Sequence, residues 1–157
     1  NPGAAFGTAK RWIPERYAAV ADRLAKRTGL CPVIVGGPGE RAVALRLAAA
    51  MQTPALVLCG RTSLAELVGV IAQLRLLLTN DSGPMHLAAA VGTKIVAVVG
   101  PTDWRETHPF TSRAVVVREP VPCAPCKLRE CPIDHRCMTG VTVERVLAAA
   151  DEMLEAA

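Results

Sequence analysis

The stretch LLLTNDSGPMHLAAAVGTKIVAVVGPTDW, Leu76 to Trp104, constrains the fold more than any other part of the chain. Leu74 to Thr79 has the length of a buried strand, and Ile95 to Val99 is continuous and β-branched. Between them there is room for one short helix. Asp81 or Ser82 can cap it, Pro84 suits its first turn, Leu87 to Val91 continue it, and Gly92 suits a left-handed stop. Two buried strands joined by a helix run parallel, because an antiparallel pair needs only a tight turn. The polar cluster Asp81, Ser82, Gly83 and His86 therefore falls where a strand ends and a helix begins.

The same unit recurs. Pro14 to Arg27 reads as an amphipathic helix closed by Gly29, Pro32 to Val35 as a buried strand, and Glu40 to Met51 as a helix rich in Ala and Leu. Ala55 to Leu58 reads as a strand, Leu64 to Gln73 as a helix capped by Thr62 or Ser63, and Arg75 to Leu78 as the core of the next strand. Beyond the opening segment, Ala114 to Val117 is a fifth strand. Glu119 to Gly140 is an irregular loop heavy in Cys and Pro, and Thr142 caps a last helix running towards Ala157. Strands alternating with helices predict an α/β fold, a Rossmann-like doubly wound parallel sheet occupying residues 1–157 as a single domain. Ligands bind such sheets outside the carboxyl ends of the strands. There the chain places GGPGE, CGRTS, TNDSG and VGPTD, with no Walker loop and no G-x-G-x-x-G spacing.

Composition narrows the partners. Five aromatic residues, Phe6, Trp12, Tyr17, Trp104 and Phe110, are too few for the stacking platforms of single-strand binders. The net charge of +4 comes from basic residues that are scattered apart from Lys10–Arg11 and the stretch Lys127 to Arg136, which suits a small anionic ligand better than a nucleic acid. No run approaches the roughly 18 apolar residues of a membrane span and no signal peptide opens the chain, so a soluble cytoplasmic protein is expected. The opening NPGAAFGTAK, without an initiator Met, reads like the end of a strand and suggests a piece of a longer chain.

At the start of the helix after TNDSG, free amides favour an anion, and Gly83 lets phosphate oxygens approach the backbone. The Ser82 hydroxyl can donate to them, and His86, one turn on, can lean over the same group. Asp81 would repel phosphate and is better used on sugar hydroxyls. Lys10, in the Gly-rich opening, is a point cation able to meet a diphosphate and stabilise a leaving nucleotide, and Thr8 adds a hydroxyl. Glu40, after an early strand, is placed to accept from a ribose. Gly100 and Thr102, with Pro101 and Asp103, are second-line contacts at the same edge. Trp104 and Phe110 either line the cleft or anchor a flap. Cys123, Cys126, Cys131 and Cys137, with His135 inside their spacing, fit a structural zinc or iron–sulfur site, disulfides or free thiols. Cys31 and Cys59 read as core thiols.

TNDSGPMHLAAAVGTKIVAVVGPTDW, NPGAAFGTAKRWIPERY and CAPCKLRECPIDHRCM together resemble the carboxy-terminal half of glycosyltransferase family 9, the ADP-heptose:lipopolysaccharide heptosyltransferases. The Cys-rich loop and GAAFGTAKRW are most similar to the branch that adds the second core heptose. The resemblance implies one half of a glycosyltransferase B fold that binds an ADP-sugar donor, with the amino-terminal acceptor domain and its general base on the missing half. It implies inverting, metal-independent transfer, with Lys10 at the diphosphate, Asp81 at the sugar, and Ser82, Gly83 and His86 facing the phosphates. The lipopolysaccharide core would be the acceptor and the inner face of the bacterial inner membrane the place of contact. A stand-alone nucleotide- or metal-binding module and half of a sugar-nucleotide epimerase are the competing readings.

Overall fold

In the computed structural model, which describes residues 1–155, the chain alternates strands and helices as the periodicity predicts. After a 3-10 turn at Thr8–Lys10 come α1 (Pro14–Thr28), β1 (Val33–Ile34), a 3-10 turn at Pro38–Glu40, α2 (Arg41–Ala50), β2 (Leu56–Val57) and α3 (Leu64–Gln73). The second half holds β3 (Leu77–Asn80), α4 (Gly83–Val91), β4 (Ile95–Val98), α5 (Trp104–Thr107), β5 (Ala114–Val117), α6 (Arg136–Thr139) and α7 (Val143–Glu155). The end of the last helix, expected to reach Ala157, lies outside the described residues.

Local signals explain the boundaries. Gly29 and Gly92 close α1 and α4 at φ 72° and φ 78°, a left-handed conformation that costs residues with a Cβ. Ser63 and Glu66 form a reciprocal cap on α3, and the Thr142 hydroxyl accepts from Arg145 N at the start of α7. The third strand differs from its expected place. It starts at Leu77 and ends at Asn80, in register with β4 from Leu77 opposite Ile95 to Asn80 opposite Val98. Leu74 closes α3, so Arg75 and Leu76 become the connection, and a polar residue is drawn into the strand end.

All strand pairs are parallel, but they form two ladders, β1–β2 and β3–β4–β5. Every residue of β4 is buried, and its alternation divides the core. Val96 and Val98 pack with Trp12, Tyr17, Val20, Met138 and Val146. Ile95 and Ala97 pack on the other face with Ile71, Met85 and Ala88. Each large apolar side chain buried in this way contributes about 1.5–3 kcal/mol, which is why a two-residue strand such as β1 persists.

Candidate site at the carboxyl edge of β3 and β4

Three loops meet where β3 and β4 end. Lys10 Nζ donates to Asp81 Oδ2 at 3.0 Å, and the Thr102 hydroxyl donates to the same oxygen at 2.6 Å. The Lys10 and Asp81 side chains are only 13% and 5% exposed, so the pair is largely withdrawn from water and weakly screened. Asp81 and Thr102 share one edge as the strand-end rule predicts, and Lys10, far away along the chain, joins them from the opening loop.

The backbone geometry that holds Asp81 depends on a residue that sequence reasoning missed. Asn80 is fully buried and makes four hydrogen bonds. Its Oδ1 accepts from Trp12 N at 2.9 Å and from the Tyr17 hydroxyl at 2.8 Å, and its Nδ2 donates to Pro2 O at 3.0 Å and Gly3 O at 3.1 Å. One amide therefore ties the strand end to the opening loop and to α1. The available signal was an Asn closing the apolar run LLLTN, a polar group that burial obliges to find partners.

Ser82 departs from expectation. Its hydroxyl donates to Asn1 Oδ1 at 2.9 Å and lies 3.2 Å from Thr79 Oγ1, so it is turned inward to the opening residues and neither caps α4 nor faces an incoming phosphate. The start of α4 stays open all the same. Apart from its chain neighbours and the backbone of its own helix, Gly83 has no atom within 4 Å of where a Cβ would stand, and His86 is exposed one turn on. Thr8 is exposed on the turn that carries Lys10. Glu40 lies one strand away, half-buried, with Oε2 accepting from Gly37 N at 2.7 Å and its carboxylate against Gly3 and Gly36. Gly100 serves packing, since a Cβ there would overlap Met138 Sδ. Beside Thr102 a cavity of about 330 Å³ is lined by Asp103, Trp104, Arg105 and Arg118. Asp103 is held down at about 2 by the Arg105 side chain and amide that bond to it, and the Arg118 guanidinium stacks on Trp104 at 5.2 Å. Phe110 is 94% exposed and lines neither this cavity nor the core.

The Cys-rich loop has a structural task at this site. Arg129 O accepts from Ala9 N at 2.9 Å, and His135 Nε2 donates to Ala9 O at 2.6 Å, so the loop grips both sides of the peptide next to Lys10. The Phe6 ring is met by the Lys10 ammonium at 5.2 Å and by the Arg129 guanidinium at 5.0 Å. His135, whose place among the cysteines suggested a ligand, is committed to that carbonyl.

The decisive comparison is with families. A model described as glycosyltransferase family 9 (heptosyltransferase) matches residues 1–136. The chain belongs to glycosyltransferase family 9. It is 34% identical to lipooligosaccharide heptosyltransferase 2 of Campylobacter jejuni over 99% of this chain and 50% of that protein. It is 37% identical to lipopolysaccharide heptosyltransferase 2 of Escherichia coli K12 over 74% of this chain and 34% of that protein. Among solved structures, the family 9 glycosyltransferase of Veillonella parvula superposes with a TM-score of 0.85 at 31% identity, covering 98% of this chain and 44% of that one. The E. coli ADP-heptose lipopolysaccharide heptosyltransferase II superposes with a TM-score of 0.84 at 33% identity, with the same coverage. The α/β fold is that of the family. The chain spans about half the length of the curated relatives it matches. Nothing in these matches favours the module or epimerase readings.

Within this family 9 chain the cysteines do not gather into a ligand set. Among the described residues no three His, Cys, Asp or Glu side chains are placed to hold a metal ion, and all six cysteines are free thiols. Cys123 and Cys126 are exposed and Cys131 half-buried, while Cys137 is buried on α6. Burial, reinforced by the nearby thiols of Cys131, Cys123 and Cys126, pushes the Cys137 thiol up to about 11. Of the two expected core thiols, Cys59 is buried and Cys31 is exposed, because Cys31 lies in the connection between the Gly29 stop and β1. Alkylation of the native protein at neutral pH is expected to label Cys31, Cys123 and Cys126 and to spare Cys59 and Cys137, since only accessible thiolate reacts. Peptide mass mapping reads the pattern. Labelling of Cys137 as fast as Cys123 would contradict the packing of α6.

Proposed function

We propose that this chain is the donor-binding half of a heptosyltransferase, which takes heptose from an ADP-heptose and delivers it to the lipopolysaccharide inner core with inversion at the anomeric carbon. The observation that carries the reading is the Lys10–Asp81–Thr102 contact beside the open start of α4. The names of the family 9 relatives supply the sugar and the acceptor class.

In this reading the free pocket holds Lys10 on Asp81 until a diphosphate arrives. The ammonium then turns to the phosphate oxygens, joined by the first amides of α4 and by His86, and offsets the negative charge that grows on ADP as the glycosidic bond breaks. Asp81, relieved of its cation, accepts from hydroxyls of the transferring sugar, and Thr102 keeps its carboxylate aimed. Glu40 receives the ribose hydroxyls. The base that deprotonates the acceptor comes from the other half of the enzyme. The chemistry assigned to these residues needs no metal. Any zinc or iron–sulfur group at Cys123, Cys126, Cys131 and Cys137 would serve the loop that grips Ala9. Work at the cytoplasmic side of the inner membrane, with peripheral contact, fits the acceptor. Among the described residues no helix is long and apolar enough to cross a membrane.

Titration calorimetry of the chain with ADP and with UDP-glucose is the test. ADP is expected to bind at least tenfold more tightly, a difference of about 1.4 kcal/mol. Equal or tighter binding of UDP-glucose would overturn the donor assignment.

A further inference from the structure

The cavity beside Thr102 holds one positive charge that no carboxylate answers. It lies outside the carboxyl ends of β4 and β5, and its volume of about 330 Å³ is within the range of small-ligand sites, roughly 300–1,000 Å³. Two carboxylates and two guanidiniums line it. Asp103 holds Arg105, its Oδ1 accepting from Nε at 2.9 Å and its Oδ2 from Nη2 at 2.8 Å. Glu119 is engaged from α7 by Arg145, whose Nη2 also donates to Arg118 O at 2.6 Å and so pins the peptide that bears Arg118. Arg118 itself has no carboxylate partner among the described residues. Its guanidinium is held over the Trp104 ring at 5.2 Å.

We propose that Arg118 and Trp104 form an acceptor subsite that takes an anionic sugar, one bearing a carboxylate or a phosphate group. The inference rests on the heptosyltransferase reading above, and adds to it the charge of the acceptor and the side from which it arrives.

The order of groups along the sheet edge gives the side. β3 has β4 on one flank, and Asn1, which donates to Leu78 O at 2.8 Å and to Val35 O at 3.0 Å, ties the end of the β1 segment to the other. Glu40 for the ribose, the start of α4 for the diphosphate and Asp81 for the transferring sugar therefore succeed one another towards β4. The cavity comes next, with Thr102 common to both, since its hydroxyl donates to Asp81 and its side chain lines the cavity. In an inverting displacement the attacking oxygen reaches the anomeric carbon from the face opposite the leaving group, so what lies beyond Asp81, away from ADP, is the acceptor. The chemistry of the lining gives the charge. A guanidinium fixed on a ring presents a planar fork that matches the paired oxygens of a carboxylate or phosphate. The transferring heptose is neutral and has no such group to offer it. Trp104 is 38% exposed, and with Pro120 and Pro125 it supplies an apolar wall that suits the carbon face of a sugar ring and that a bare anion does not need.

Titration of the chain with glucuronate, glucose-6-phosphate, glucose and inorganic phosphate tests the subsite, followed by NMR at the Trp104 indole N–H with the fully buried Trp12 as internal control. At least one sugar anion is expected to move the Trp104 signal with a Kd roughly fivefold or more below those of glucose and phosphate, and the tighter of the two identifies the anionic group. Arg118→Gln should abolish that preference and Arg118→Lys restore only part of it, because an ammonium lacks the fork. ADP binding to both variants should stay within about twofold of the parent chain. In the full-length enzyme Arg118→Gln should raise KM for the lipopolysaccharide acceptor about tenfold, with KM for ADP-heptose unchanged. Glucose binding as tightly as the sugar anions, a preference that survives Arg118→Gln, or no movement of the Trp104 signal would overturn the subsite. Inorganic phosphate binding as tightly as the sugar anions would overturn the saccharide assignment, and ADP binding weakened as much as sugar-anion binding would return the cavity to the donor. Failure of the heptosyltransferase reading shows separately, as loss of the preference for ADP over UDP-glucose in the parent chain.

Discussion

Asn80→Leu is expected to lower Tm by roughly 10 °C and to release the opening loop, although the volume of the side chain hardly changes. Four buried groups lose their partner at once: Trp12 N, the Tyr17 hydroxyl, Pro2 O and Gly3 O. Leaving a buried donor or acceptor unsatisfied costs about 1–3 kcal/mol each, and even with partial relaxation the sum is about 3–5 kcal/mol, a large share of the 5–15 kcal/mol typical of a domain. At about 2–4 °C per kcal/mol for a chain of this size, the shift follows. Asn80→Asp separates polarity from fit. It keeps the two hydrogen bonds accepted by Oδ1 but sets an acceptor against Pro2 O and Gly3 O, so it should also destabilise. A thermal melt of both variants with no loss beyond about 2 °C would mean that the opening loop is not held by this side chain.

The second expected result concerns Lys10 and Asp81, whose pairing means that neither can be altered in isolation. Lys10→Met leaves the nearly buried Asp81 carboxylate with Thr102 alone, a change expected to cost about 3 kcal/mol of stability. It should also weaken ADP binding tenfold or more, because a charge-assisted contact to phosphate is worth about 1.5–3 kcal/mol. Asp81→Asn removes the negative charge beside the diphosphate and frees the ammonium, so ADP should bind as well as before or better. Turnover of the full-length enzyme should nevertheless fall on the order of a hundredfold if, as proposed, Asp81 positions the transferring sugar. The double variant should be more stable than the sum of the single effects predicts, by more than about 1 kcal/mol of coupling. Melts, calorimetry and initial rates on the four proteins separate these terms. Sharply reduced ADP binding with normal turnover in Asp81→Asn would reverse the assigned roles.

Much of this was legible before any tertiary contact was known, because strand and helix signals are local. The apolar runs at Ile95–Val98 and Ala114–Val117, the Gly29 and Gly92 stops and the Ser63 and Thr142 caps each depend on neighbours within a few residues, and the α/β class follows from their alternation. The strand-end rule then placed the loops of Asp81 and Thr102 on one edge, whereas Lys10 reads as a diphosphate partner from its Gly-rich opening and from the family resemblance. What only the tertiary structure decided involves partners far apart in sequence. Asn80 is a knot because Trp12, Tyr17 and the first residues converge on it, and Ser82 faces inward because Asn1 accepts its hydroxyl. The Cys-rich loop, whose spacing left a structural metal, disulfides and free thiols all open, is folded as the support of the Lys10 turn through Arg129 O and His135. Spacing along a chain reports which groups can ligate or cap, but not which distant backbone they are folded against. Register and hydrogen-bond partners are set by the packing of the whole sheet, so they are recorded only there.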